Sequence, residues 1–79
     1  MSATTYDHLV EIVARLHGTP ADRFTPEATF ADLDVDSLTM VEISIRIERD
    51  LGVTVHDSEL SPTLTLAGTA ELIDAKQAA

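Results

Sequence analysis

The run Asp32-Leu33-Asp34-Val35-Asp36-Ser37-Leu38 sets three alternating carboxylates ahead of a hydroxyl, and three kinds of chemistry could use that spacing. Oxygen ligands at every second residue begin a calcium-binding EF-hand loop. Counted from Asp32, however, the sixth position needs a sharply turning Gly and is Ser37, while the twelfth needs a bidentate Glu and is Ile43; Glu42 comes one place early. A specific calcium loop is therefore not expected. At most the acidic cluster screens itself loosely with divalent ions, and no metal ligand is assigned. The second chemistry is nucleophilic catalysis by Ser37 with His8, His17 or His56 as base. A triad needs an oriented base and an oxyanion hole in a cleft. A chain of 79 residues leaves little room for either, and the surroundings of Ser37 lack the G-x-S-x-G elbow. Each His is expected as an exposed helix-end or loop residue, and no catalytic residue is assigned. The third possibility is that Ser37 accepts a modification. A Ser at a helix start turns its hydroxyl outward, and a phosphate attached there meets unpaired backbone N–H groups and the positive end of the helix dipole. The plainer alternative is that Asp36 or Ser37 serves only as an N-cap; residue types leave both open.

The helix that would position Ser37 is the clearest in the sequence, running from Ser37 to Leu51 and stopped by Gly52. At 100° per residue its apolar side chains fall into two stripes. Met40, Ile43, Ile47 and Leu51 form one, and Leu38, Val41 and Ile45 the other, about 140° away by the same angular count. One stripe is enough to face a core, so periodicity alone allows a helix buried on two sides. Thr4 to His17 carries Tyr6, Leu9, Val10, Val13 and Leu16 at helical spacing, with Ile12 widening the stripe, and is closed by Gly18 and Pro20. Gly18 to Asp36 reads as a long connection pinned to the core by Phe24, Phe30 and Leu33. Loops of that length in small domains are more often functional than idle. Beyond Gly52, Val53-Thr54-Val55 is a candidate extended stretch and Asp57-Ser58-Glu59-Leu60 a candidate single helical turn before Pro62. Thr65 is a plausible N-cap for a last helix in which Leu66, Thr69, Ala70 and Ile73 recur on one face. The tail from Lys76 to Ala79 is expected to fray. Three main helices, a minor one and a long first loop make a small all-α bundle and a single domain over residues 1–79.

Fourteen acidic against five basic residues give a formal charge of −9, which disfavours phosphate backbones and anionic membranes and favours partners with basic patches. No apolar run approaches the roughly 20 residues needed to span a bilayer, and the N-terminus has neither the positive region nor the apolar core of a secretory signal. Nucleic acid and membrane are therefore not expected as partners. The absence of Cys removes thiol nucleophiles, Cys-ligated zinc and disulfide scaffolds, and makes the reducing cytoplasm the default.

The stretch from Phe30 to Ile43, FADLDVDSLTMVEI, strongly resembles the prosthetic-group attachment region of acyl carrier proteins. The likeness extends over almost the whole chain: a first helix, a long loop, D-S-L at Asp36–Leu38, V-E-[LIV] at Val41–Ile43, a short third helix at Asp57–Leu60 and a T-[VL]-started fourth at Thr65–Ile73. The resemblance implies a four-helix acyl-carrier-type bundle with a long first loop and a short third helix. It implies that Ser37 receives 4′-phosphopantetheine from coenzyme A through a phosphopantetheinyl transferase, with acyl groups then carried as thioesters and no catalysis by the chain itself. It also assigns the stripes: Met40, Ile43, Ile47 and Leu51 to the core, and Leu38, Val41 and Ile45 to partner recognition, rimmed by Asp36, Glu42 and Glu48. Ketosynthase, acyltransferase and other synthase enzymes with basic docking patches are the implied partners, met by a monomer.

The sequence departs from the family pattern at specific places. Asp34 stands where many relatives have Gly, Thr39 replaces a frequent acidic residue, and Arg46 and Arg49 add positive charge to the second helix. These differences lean toward a polyketide or specialised fatty-acid pathway, with housekeeping fatty-acid synthesis as the alternative. A peptidyl carrier is disfavoured because the Gly-Gly often preceding its Ser motif is absent. From a different class, the alternative is a small acidic calcium-binding or scaffold module.

Overall fold

The computed structural model describes residues 3–78, the side chains of residues 3, 21 and 57 excepted. Three α-helices account for most of it: α1, Ala3–His17; α2, Ser37–Leu51; and α3, Leu66–Ala78. Each buries one apolar face. Leu9, Ile12 and Val13 of α1, Met40, Ile43 and Ile47 of α2, and Leu66, Ala70 and Ile73 of α3 are buried, with Tyr6 and Leu16 packed half-exposed at the margin. α1 packs against both α2 and α3. A hydrogen bond from the Thr5 hydroxyl to Asp74 Oδ1, 2.6 Å long, ties its N-terminal end to α3. Gly18 and Gly52 close α1 and α2 in the left-handed region, at φ +70° and +71°. Their N–H groups cap Ala14 and Glu48 carbonyls at 2.8 and 3.0 Å, a geometry in which any Cβ would be strained.

The connection between α1 and α2 is long but anchored. Phe30 is wholly buried, and Ala28, Leu33 and Val35 lie in the same core cluster. A 3₁₀ turn spans Ala21–Arg23, and Thr29 pairs with Thr65 in an isolated antiparallel bridge. Around that bridge the loop supplies what the start of α3 lacks. Leu66 and Ala67 N–H donate to the carbonyls of Ala28 and Pro26 at 2.9 and 3.0 Å, and Gly68 N–H donates to Thr65 Oγ1 at 2.9 Å. Backbone donors orphaned at a helix start are thereby satisfied, with Thr65 as the expected N-cap.

Among the described residues the architecture is all-helical, with three α-helices rather than four and no strand. The expected short third helix is a 3₁₀ turn of three residues, Asp57–Glu59. Nucleating a helix fixes several residues for one hydrogen bond, and only five residues separate Val55 from Ser61-Pro62. The turn closes on itself instead: Glu59 N–H donates to His56 O at 2.9 Å, and His56 N–H to Glu59 Oε1 at 3.1 Å. It still serves the core by burying Leu60, and Val53 and Val55 are buried in the extended stretch before it. The expected fraying from Lys76 is not found within the described residues. α3 continues to Ala78, Lys76 Nζ lies 3.0 Å from Glu59 Oε2, and Gln77 Nε2 donates to Leu51 O at 3.2 Å. The His56 N–H, and after it Lys76, hold the Glu59 carboxyl below its ordinary pKa. No helix of the described residues is long and apolar enough to cross a membrane.

Candidate functional site

The start of α2 is set by Asp36. Its backbone is extended, at φ −85° and ψ 173°, its carboxylate accepts the Thr39 N–H at 2.8 Å, and its carbonyl accepts the first helical bond, from Met40 N–H at 3.0 Å. That is an N-cap satisfying a helix-start donor. The Thr39 N–H is also the main reason the Asp36 carboxyl lies below its ordinary pKa, with the charge of His17 acting in the same direction. Because Asp36 does the capping, Ser37 is left as the first helical residue, exposed. Its hydroxyl has no hydrogen-bond partner among the described residues. Its own N–H and that of Leu38 are orphan donors of the first turn, at the positive end of the helix dipole.

Along α2 the two apolar stripes meet different fates. Ile43 and Ile47 are 0% exposed, whereas Leu38 is 69%, Ile45 60% and Val41 37% exposed. Glu42 and Glu48 are exposed on the flanks of the outer stripe. Leu51, expected in the core, packs against it half-buried. Ser44 turns inward and is buried, its hydroxyl donating to Val41 O at 2.7 Å.

The three alternating carboxylates diverge rather than converge. Asp32 folds back on Thr29, accepting its N–H at 3.1 Å and donating its own N–H to Thr29 Oγ1 at 3.0 Å. Asp34 is exposed with a left-handed backbone, φ +59°. Asp36 caps α2. Among the described residues no three His, Asp or Glu side chains are placed to hold a metal ion. His8 and His56 are exposed, whereas His17, expected exposed at its helix end, is half-buried. Its Nε2 lies 2.9 Å from the Leu33 carbonyl and must donate to it. Arg23 holds the same loop through Asp32 O at 2.6 Å. These two ties fix the approach to Ser37. Both run from a side chain to a loop carbonyl, and no pattern of side-chain types announces such a bond.

An exposed hydroxyl at a rigid helix tip, beside an apolar patch rimmed by acid, is a place to attach a group and present it. The family described as "Phosphopantetheine attachment site" matches residues 7–73. Among curated proteins the chain is 43% identical to an acyl carrier protein of Thermobifida fusca over 61 residues, 76% of this chain and 77% of the relative. It is 38% identical to polyketide-8 synthase acyl carrier protein 2 of Streptomyces avermitilis over 76 residues, 95% of this chain and 87% of the relative. It is also 38% identical to the meromycolate extension acyl carrier protein of Mycolicibacterium aurum over 66 residues, 82% of this chain and 68% of the relative.

Proposed function

Since this chain belongs to the phosphopantetheine-attachment family and is an acyl carrier protein, we propose that Ser37 bears its covalently attached 4′-phosphopantetheine and that the exposed face of α2 docks the enzymes it serves. The observation that carries the attachment is the exposed, unpartnered Ser37 hydroxyl on the first turn of α2. The residues around it suit a phosphodiester. The Ser37 and Leu38 N–H groups and the helix dipole face the developing anion. Asp36, already engaged with Thr39 N–H, leaves those two donors open. When bound, the group supplies the thiol that holds acyl chains as thioesters, a function no side chain of this Cys-free sequence can provide. What the chain does is hold the attachment oxygen outward and rigid; it performs no catalysis of its own.

Docking falls to Leu38, Val41 and Ile45, rimmed by Asp36, Glu42 and Glu48. Carboxylates speed encounter with basic surfaces, and a small apolar patch sets register, which together favour brief complexes. Partners of this kind are a phosphopantetheinyl transferase, a ketosynthase, an acyltransferase and other synthase enzymes. The working unit is one carrier domain over residues 1–79, acting as a monomer, and lack of Cys suits the reducing cytoplasm. The pathway is polyketide or specialised fatty-acid synthesis. Arg46, Arg49 and Asp34 depart from the family pattern in ways that favour this reading over housekeeping fatty-acid synthesis, and the likeness to the Streptomyces polyketide carrier, which spans 95% of the chain, supports it.

Incubation with coenzyme A and a broad-specificity phosphopantetheinyl transferase tests the assignment by intact mass. The wild-type chain gains one phosphopantetheine, and Ser37→Ala gains none. A wild-type chain that stays unmodified, or a Ser37→Ala chain that still gains the mass, overturns it.

A further inference from the structure

Three of the five basic residues, Arg15, Arg46 and Arg49, gather on one groove of about 450 Å³ between α1 and the C-terminal half of α2. Its apolar side comes from Ile12, Leu16 and Leu51. A second hollow, lined by Leu16, Arg46 and Arg49, carries the groove on to Ile45 and Glu42, which belong to the exposed face of α2. Glu11 and Asp50 line the same groove, so its three guanidinium groups outnumber its carboxylates by one, a local reversal of sign in a chain of charge −9. Arg15 and Arg46 face carboxylates of their own helices at 3.7 Å (Glu11) and 3.9 Å (Asp50), the first pair well exposed and the second partly so, and solvent-accessible pairs at such separations restrain little. Arg49, also exposed, has no carboxylate partner among the described residues. On helical spacing Leu38, Glu42, Ile45 and Arg49 share one face, and Arg49 lies about 16 Å along the axis from Leu38.

We propose that the exposed face of α2 is a docking surface of two signs: its N-terminal half takes basic groups of a synthase partner, and Arg49 with Arg46 takes carboxylates of that same partner in the α1–α2 groove. The inference rests on the reading of that face as the docking face. An acidic face of one sign attracts any basic patch and fixes no direction along the helix. On the side of α2 that faces the groove the sign changes from Glu42 to Arg46 and Arg49, Glu48 lying on the opposite flank beside Val41; this favours one alignment, because the reversed one sets like charges against each other at both ends. Direction matters here because it decides whether Ser37 is delivered to the partner's entrance or away from it. The reversal also discriminates among partners: an enzyme basic along the whole helix is disfavoured, and one that turns acidic beyond Ile45 is favoured. Leu16, Leu51 and Ile45 give such an acidic segment an apolar strip to lie on.

Two synthetic helical peptides with the same Leu face, one flanked by Glu and the other by Lys, test this by ¹⁵N chemical-shift titration of the unloaded chain. The Glu peptide is expected to move the amides of Leu16, Arg46, Arg49 and Leu51, and the Lys peptide those from Asp36 to Glu42. Arg49→Glu should weaken the Glu peptide at least fivefold and leave the Lys peptide within twofold, with Arg49→Gln in between. A Glu peptide that binds elsewhere, does not bind, or is indifferent to both Arg49 substitutions overturns the proposal. Loading at Ser37 is read separately by mass. A chain that loads but shows no sign-dependent binding loses this inference alone, and one that binds both peptides as described but never loads loses the attachment reading.

Discussion

Along α2 the same aliphatic side chains meet opposite surroundings. Ile43 and Ile47 are sealed in one core cluster that also holds residues of α1, the loop and α3, while Leu38 and Ile45, on the same helix and equally apolar, stand in solvent. Burying a Leu or Ile is worth about 1.5–3 kcal/mol, and a domain of this size has little stability to spare. The outer residues therefore forgo what the inner ones gain. Their apolar character answers to something other than folding, which is why the outer face reads as a surface for partners and the inner face as scaffold.

The largest effect that could break this contrast is a truncation on either side of the helix. Ile43→Ala, which leaves a cavity in a closed core, should cost about 2–5 kcal/mol, enough to remove most of the cooperative thermal transition. Ile45→Ala should change stability by no more than about 0.5 kcal/mol and keep the helical circular dichroism, while slowing phosphopantetheine loading several-fold. Thermal melts and loading rates on the same preparations decide it. An Ile45→Ala chain that unfolds like Ile43→Ala would erase the distinction between the faces.

How much of this was legible in the sequence depends on whether the information was local. The extent of α2, its stop at Gly52 and its two stripes follow from local spacing, whereas the choice of Asp36 over Ser37 as cap is made by the Thr39 N–H bond to the Asp36 carboxylate. Which stripe faces outward does not, because periodicity allows burial on both sides; family resemblance, not spacing, assigned it. Features that need two distant segments to meet were invisible. The His17 bond to Leu33 O, the Lys76–Glu59 pair that holds the end of α3, and the gathering of Arg15 with Arg46 and Arg49 all arise from packing between elements. The turn at Asp57–Glu59 was visible as a single helical turn, and its 3₁₀ geometry follows from how few residues lie between Val55 and Pro62. The oddity at Asp34 was visible as a departure from Gly, but its meaning lies in the backbone.

That backbone gives the next largest test, on the approach to the exposed face rather than on the helix. Asp34 sits at φ +59°, where an L-residue is strained by roughly 1–2 kcal/mol and Asp is among the better tolerated. Asp34→Ala should therefore destabilise by about 1 kcal/mol, whereas Asp34→Gly, which enters that region freely, should match or exceed wild-type stability in urea unfolding. Both substitutions remove the same charge, so a difference between them isolates conformation from electrostatics. Equal losses for the two would assign the effect to the carboxylate.

The smallest effect concerns where the helix begins, since that fixes which residues fall on which face. Asp36 is the N-cap, and the Thr39 N–H holds its carboxyl below the ordinary value of 3.8. A carboxyl with a lowered pKa in the fold contributes stability that is fully present above its unfolded pKa and is lost as pH falls through the lowered folded value. Asp36 therefore contributes in full at neutral pH, begins to lose that contribution below about pH 4, and ceases to contribute only once pH has fallen through its lowered folded value. Asn in its place can still accept the Thr39 N–H but does not titrate. Asp36→Asn should consequently remain capped and fall only slightly short of wild type in melting temperature at pH 7, with the gap closing as the two are compared at successively lower pH. The difference between the two chains at each pH cancels the titration of the other carboxylates, Glu59 included. Asp36→Ala removes cap and charge together and should remain below both at pH 7. A gap between Asp36→Asn and wild type that is constant from pH 7 to pH 3 would mean that the side chain at position 36 caps by shape alone, and that the charge near Ser37 serves encounter with partners rather than the start of α2.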